Sequence, residues 1–507
     1  MATYSKPKVD VTVNSNPRLI NLGSDTRLVA LVGLGPMTGS VIDEAVERKN
    51  GFVDKLSVYP TTGFAAGRIT KITSRPGVAT SDIDYKSRLV VASDGTLTTG
   101  GALYTIGSAS IGADGTLAWK NITAVDPAVA VTSITELNVP ATGSVYYVTY
   151  TYNLSSTFDP TVYTDKQEII NRFGSENTAS GSLTIAGALV LENGAPGVMI
   201  VQASGSAYTE AIYRTAIDKL QKKKNIEYVV CVFPSASVTR AQQENTLTYA
   251  FNHVTSMSEA GRERGLITGS PSTSFATDGL DTIGDNTTVG TYVYRANALK
   301  NKNVIYVVPS RAQRKDADGN VMELDGNFLA AAVGGVFTAQ SKISTPINGF
   351  QVVGATITDE KWNEAQMDIL GAGNCTVLES RGGTITIRDA LTTDNTSVVT
   401  TEPTVVSQER LVKRTLRDGL KNVYTNQGKV IDAYTTFDVE ATAEALLQSL
   451  VLAREIYGYG KQDNPATGET KIAAKVDPTD PRKINVTCSV RYLFPLKFLS
   501  VSVNVFV

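Results

Sequence analysis

Histidine is almost absent from this chain: among 507 residues only His253 is available, so the most common general base and metal ligand is nearly unrepresented. Cysteine is scarce too. Cys231, Cys375 and Cys488 are odd in number and far apart, which excludes the close spacings of a zinc site and the paired sets of a secreted disulfide scaffold, and points to a reducing compartment. No apolar run approaches the roughly 18 residues of a membrane-spanning helix. The first twenty residues carry Lys6, Lys8, Asp10 and Arg18 without an apolar stretch, so neither a signal peptide nor a transit sequence is expected there. Charge of either sign is not in excess. The 47 basic and 49 acidic residues leave a net charge of -2, which argues against broad electrostatic binding to nucleic acid or anionic lipid. Charged residues make up only 19%, below the roughly 25% of an average soluble protein, as suits a surface covered by neighbours.

What is present is ample core material, 42% hydrophobic residues in a chain long enough for two to four domains. Residues 1–24 read as an extended arm, with Val9, Val11 and Val13 alternating with polar residues between Pro7 and Pro17. Residues 25–50 hold a buried strand, LVALV, that runs into Gly33-Leu-Gly-Pro. From 51 to 158 Thr, Ser, Gly, Val and Tyr dominate, with turn dipeptides such as Asp94-Gly95 between short alternating runs, and the stretch reads as an inserted β-rich domain whose strongest strand is VYYVTYTY.

Residues 159–400 alternate helices and strands. Thr164-Asp-Lys-Gln167 reads as a capping box opening a helix that stops at Gly174, and Thr239 with Gln242 as another, opening a helix that reaches about 264. Helices over 183–192, 209–224 and 328–342, with apolar strands near 197–203, 228–233, 304–308, 377 and 385, predict a layered α/β core with a mostly parallel sheet. Residues 401–507 form a C-terminal α+β assembly domain, with helices over 406–425 and 438–457 and two closing strands. The fold class expected overall is α+β multidomain. In the last strand Leu499, Val501, Val503, Val505 and Val507 share one face. Such a half-apolar strand without a hairpin partner is an aggregation hazard unless another chain covers it, and burying its five apolar side chains is worth on the order of 10 kcal/mol before association costs. A terminal strand can also fill an edge of its own domain. Two alternating strands at opposite extremes nevertheless point to strand donation between subunits, a heterologous contact that propagates into rings or helical arrays.

Several segments, in shared order along the chain, resemble the tail sheath proteins of contractile-tailed bacteriophages: LVALVGLGP, DKQEIINRFG, LTIAGALVLENGAPGVMIVQA, DGNFLAAAVGGVFTAQSKISTPINGF, ILGAGNCTVLESRGGTITIRDAL and the ending DPTDPRKINVTCSVRYLFPLKFLSVSVNVFV. The resemblance implies a core of subtilisin-like topology without catalytic residues and hexameric rings stacked around an inner tail tube. It also implies links made by donated arms, and contraction as a switch between two packings of one lattice, without nucleotide, metal or other cofactor. The implied partners are further copies of the chain, the tail tube protein, and baseplate and tail terminator proteins, with no direct contact to nucleic acid or membrane. The implied location is the virion tail, assembled in the host cytoplasm. Residues 51–158 depart from the family pattern and are expected on the outer surface. Two alternatives stand beside this reading: the sheath of a tailocin or type VI-like injection device, and a hydrolase with an α/β core and a β-rich binding domain.

Arg410, Lys413, Arg414, Arg417 and Lys421 fall on one face of a helix whose other side is apolar. A solvated helix face is the plain reading; a stripe gripping an acidic tube surface is the functional one. Lys222-Lys223-Lys224 reads as complementing a helix C-terminus. The glycines at 33, 35 and 39 have the wrong spacing for a nucleotide loop, and Pro36 interrupts them. Residues 316–320 read as a turn that lacks most ligands of a calcium loop. No serine elbow accompanies His253, so no catalytic constellation is expected.

Overall fold

The computed structural model describes residues 11–19, 27–35 and 38–47, separate strands between 53 and 153, and most of residues 159–495. Its architecture is mixed α/β with more than one unit. The central sheet has nine strands. Six run parallel in the spatial order Val198–Ala203, Leu28–Leu34, Ile226–Cys231, Gly265–Gly269, Val304–Val308 and Thr376–Arg381. Antiparallel strands finish both edges: Thr161–Tyr163 on one side, and Thr384–Asp389 with Gln351–Val352 on the other.

A parallel sheet needs cover on both faces, and the strand Leu28–Leu34 shows how period two supplies it. Val29 and Leu31 point into a cluster with Leu189, Leu329, Val333 and Phe337, from the helices Ser182–Glu192 and Gly326–Ala339. Leu28, Ala30 and Val32 point the other way, toward Tyr213, Ile217, Leu247 and Val254 of the helices Glu210–Lys219 and Arg240–Glu259. The Gly326–Ala339 helix is buried from residue 326 through 338. Its small residues permit this: a Cβ on Gly335 would sit 2.6 Å from the Val190 carbonyl oxygen. Closer still is the approach of Gly269 to the start of that helix, where a Cβ would lie 1.9 Å from the Gly326 carbonyl oxygen.

Most expected elements appear, with shifted ends. The capping box of Thr239 and Gln242 is present, but its helix stops at Glu259. The first helix, Lys166–Phe173, is capped by Asp165 rather than Thr164. Asp165 lies in extended backbone and its carboxylate accepts from the Gln167 amide at 2.6 Å, and a carboxylate beside the positive end of a helix is the stronger acceptor. Thr38–Glu47 pairs antiparallel with Val145–Asn153, which also pairs with Ile69–Thr73, so residues placed before position 51 share a sheet with the expected insert.

The C-terminal unit is two helices on a small sheet. Pro403–Leu420 starts three residues before its expected onset, with Pro403 in the first turn where its missing amide hydrogen costs nothing. It packs with Thr435–Leu452, so tightly that a Cβ on Gly419 would meet Leu446 at 2.5 Å. Val412, Leu416 and Leu420 join Leu447 and Leu450 in a separate core, over the buried side chains Val486, Cys488, Val490 and Tyr492 of the strand Ile484–Tyr492.

Candidate assembly site

Ile484–Tyr492 is paired on both sides. Ala473–Val476 and Gly458–Tyr459 flank it antiparallel, and Val11–Leu19 runs parallel to it, with Val11 opposite Val486 and Val13 opposite Cys488. The sheet of the C-terminal unit is thus completed by a strand from the other end of the chain. Two of the arm residues expected to serve a neighbour, Val11 and Val13, here pair within their own chain. Val9 and the terminal-strand residues Leu499, Val501, Val503, Val505 and Val507 lie outside the described residues.

Four residues of the stripe, Arg410, Lys413, Arg414 and Arg417, pair with carboxylates of their own chain rather than standing as a bare basic face. Arg410 reaches Glu227 at 3.2 Å and lies 5.2 Å above the Tyr228 ring, whose hydroxyl is 2.9 Å from Ser407 Oγ. Arg414 approaches the other Glu227 oxygen at 3.5 Å. Arg417 is bidentate on Glu263, with Nη2 to Oε2 at 2.6 Å. Lys413 shares the Glu409 carboxylate with Lys302, each nitrogen 2.7 Å away. Lys421 is exposed. Burial pushes Glu227 up, but Arg410 and Arg414 outweigh it and hold the carboxyl below its ordinary range; Lys302 and Lys413 do the same for buried Glu409. These are clamps between units.

Between that helix and the core lies a groove of about 760 Å³, lined by ten basic and four acidic side chains. Arg264 forms its floor, 1% exposed, donating to the carbonyls of Leu220 and Lys223 at 3.1 Å and of Arg262 at 3.3 Å. No carboxylate meets its guanidinium among the described residues. Burial, then Arg262 and Arg414, lower it to about 10. The rim carries Lys223, Lys224 and Arg262. The lysine run was visible in the sequence, yet nothing local linked it to the Arg410 helix. Lys222 does close a short helical turn, Leu220–Lys222, as its helix-end reading requires.

Among the described residues, the features weighed for catalysis or ligand binding serve packing and turns. His253 is buried on Arg240–Glu259 with Nε2 3.3 Å from Arg264 Nη1. Arginine can only donate, so that nitrogen is the acceptor, and burial followed by the Arg264 charge lowers the imidazole to about 4. A Cβ on Gly35 would meet Gln202 at 2.9 Å and Phe173 at 3.0 Å, so this glycine serves close packing rather than a phosphate. Asp316 closes the hairpin of Arg311–Lys315 and Val321–Asp325 by accepting from the Asn320 amide at 2.7 Å. Among the described residues there is no group of three or more metal-ligating side chains and no helix long and apolar enough to cross a membrane. All three cysteines are buried, and burial pushes Cys231 up to about 12 and Cys488 to about 11.

No protein-family model matches the sequence. The tail sheath protein of Mycobacterium phage Bxz1 is 24% identical over 375 residues, 72% of this chain and 59% of that protein. The chain thus spans about three fifths of the length of that curated relative. Among solved structures, the contracted helical sheath of the anti-feeding prophage covers 99% of both chains at 10% identity and a TM-score of 0.53. A chain of the sixfold-symmetrised anti-feeding prophage baseplate covers 70% of this chain and 90% of its own, at 11% identity and a TM-score of 0.50. The resemblance to sheath proteins read from the sequence is borne out, and at these identities the solved structures speak for the fold.

Proposed function

We propose that the chain is a structural subunit of a contractile phage tail sheath, polymerising as stacked hexameric rings around a tail tube and contracting to drive that tube through a host envelope. The observation that carries this reading is the sheet of the C-terminal unit, which takes its parallel edge strand, Val11–Leu19, from the far end of the chain. A strand that completes a sheet edge through backbone pairing is exchangeable: the same edge can be filled by the equivalent segment of another copy, and the link then survives rearrangement of the packed domains. The likeness of the whole chain to a sheath subunit supports the same reading.

In this reading the core topology is subtilisin-like and carries no catalytic residues. The six parallel strands covered by helices on both faces support that topology, and the buried, neutral His253 supports the absence of hydrolytic chemistry. The β-rich region 51–158 belongs on the outer surface. The partners are other copies, the tail tube, the baseplate and the tail terminator, and the subunit acts in the virion tail after assembly in the host cytoplasm. Negative-stain microscopy of the purified protein tests this: rings or striated tubes are expected, and removal of residues 499–507 should abolish them while the core stays folded. A monodisperse monomer that hydrolyses a substrate would overturn the reading in favour of an enzyme.

A further inference from the structure

No described residue fills the groove beside Arg264, and its cations outnumber its acids. The acids present are largely committed: Glu263 to Arg417, and Glu409 to Lys302 and Lys413. Lys224 and Arg262 are exposed on the rim and make no ion pair among the described residues. Arg264 below them carries a buried positive charge met by carbonyl dipoles and the His253 ring nitrogen, with no carboxylate among the described residues. Bringing a carboxylate to this rim relieves mutual repulsion among cations that the fold already holds together.

The opposite charge sits on the other side of the same helix pair. Thr435–Leu452 contains Asp438, Glu440 and Glu444 and not one lysine or arginine. Its inner side, Val439, Ala443, Leu447 and Leu450, is buried against Pro403–Leu420. Its outward side presents Asp438 and Glu444 between two exposed apolar residues, Phe437 at 68% and Leu452 at 75% exposure. One helix pair therefore shows a basic groove on one side and an acidic, apolar-flanked ridge on the other. Among the described residues, no ion pair joins the two patches. Two different complementary surfaces on opposite sides of one body make a head-to-tail contact, which repeats without closing on itself unless its rotation closes a ring.

We propose that the basic groove of one subunit receives the outward face of the Thr435–Leu452 helix of a second copy, with Asp438 and Glu444 against the rim cations Lys224 and Arg262. This rests on the polymer reading above and adds a second, electrostatic contact to the strand link. Steering by such charges governs encounter more than final affinity, so the contact sets the rate and salt dependence of growth.

The test uses the purified full-length chain, following growth by light scattering and microscopy at low and high salt. Reversal at the rim, K224E with R262E, is expected to slow growth by about tenfold at low salt and to flatten its salt dependence, as is reversal on the ridge, D438K with E444K. Combining all four substitutions restores growth because the pair is again complementary. Thermal unfolding of all variants is read alongside growth: the rim pair should leave it unchanged, since the Lys224 and Arg262 side chains hold nothing among the described residues, whereas E444K gives up the bond that Glu444 accepts from the Tyr459 hydroxyl at 3.1 Å, so D438K alone is measured as its control. Growth of the rim variant at the wild-type rate and salt dependence would overturn the proposal while leaving the polymer reading intact. So would a fourfold variant slower than either pair, or a rim variant that polymerises normally and loses only the capture of a separate acidic tube protein. Absence of any wild-type polymer would instead remove both.

Discussion

The core sheet and the sheet of the C-terminal unit use similar apolar strands but are completed differently. The core sheet is finished by its sequence neighbours, with antiparallel strands on both edges and helices over both faces. The other sheet is finished by Val11–Leu19, and its unit is fastened to the core by charged groups rather than by a continuous apolar core: Arg410 and Arg414 on Glu227, Arg417 on Glu263. The core closes on its own elements, whereas the C-terminal unit depends on a strand from the far end of the chain and on a charged seam. On the polymer reading proposed above, the contrast separates what must fold from what must assemble.

The largest expected effect tests the rigidity of the core. In Gly269→Ala the new methyl would stand 1.9 Å from the Gly326 carbonyl oxygen and 2.0 Å from its carbon, and no rotamer change can relieve a clash between two backbones. A loss above about 4 kcal/mol is expected, read as failure to recover folded protein or as a collapsed denaturation midpoint. Normal stability would mean that the central helix is free to shift.

The charged seam should respond less, and in a different way. Arg410→Met removes the nearest cation from buried Glu227 and leaves it the more distant Arg414, Arg27 and the Ser407 hydroxyl, at an expected cost of about 3 kcal/mol in urea denaturation. Adding Glu227→Leu should recover most of that loss, because two apolar groups no longer strand a charge. A double variant as unstable as the single one would show that the seam is held by packing alone.

The smallest effect is a pH dependence inside the core. Asp325 caps the Gly326–Ala339 helix by accepting from the Asn327 amide at 2.8 Å, but no cation among the described residues pairs with it and burial pushes its carboxyl up to about 7 against those hydrogen bonds. Its folded value lies above its unfolded one, so the folded state binds the extra proton, and stability present at low pH is lost as pH rises through about 7. Asp325→Asn keeps the cap and removes the titration. It should match the wild type near pH 4 and exceed it in melting temperature near pH 8; equal profiles at both values would show that Asp325 finds a counter-charge.

Those three sites differ in how far the chain announces them. The buried parallel strands are legible because Leu28–Leu34 and Val304–Val308 are short, unbroken apolar runs between turn residues, and the Thr239–Gln242 cap is legible because its two partners are three residues apart. The basic stripe is equally visible as a helix face, yet its meaning was not. Glu227 and Glu263 lie far away in sequence, and only folding sets them opposite Arg410 and Arg417. The same holds for the groove, whose rim combines the lysine run at 223–224 with Arg262 and a helix more than a hundred residues later. Alternation identified Val11 and Val13 as strand residues, but nothing local says which edge they fill, because backbone pairing carries little side-chain specificity.

That pairing also sets a competition. Val11–Leu19 belongs to the same chain as the edge it fills, and an intramolecular partner is present at an effective concentration on the order of millimolar. A newly made subunit, surrounded by few others, therefore occupies its own edge and hides it from stray partners. Exchange between copies prevails only where neighbours are packed more densely than the chain packs its own strand against that edge, as at the tip of a growing polymer. If the proposed strand exchange between copies takes place, the intrachain strand would set a threshold on nucleation, keeping free subunits inert until a template presents them with a higher local density of edges.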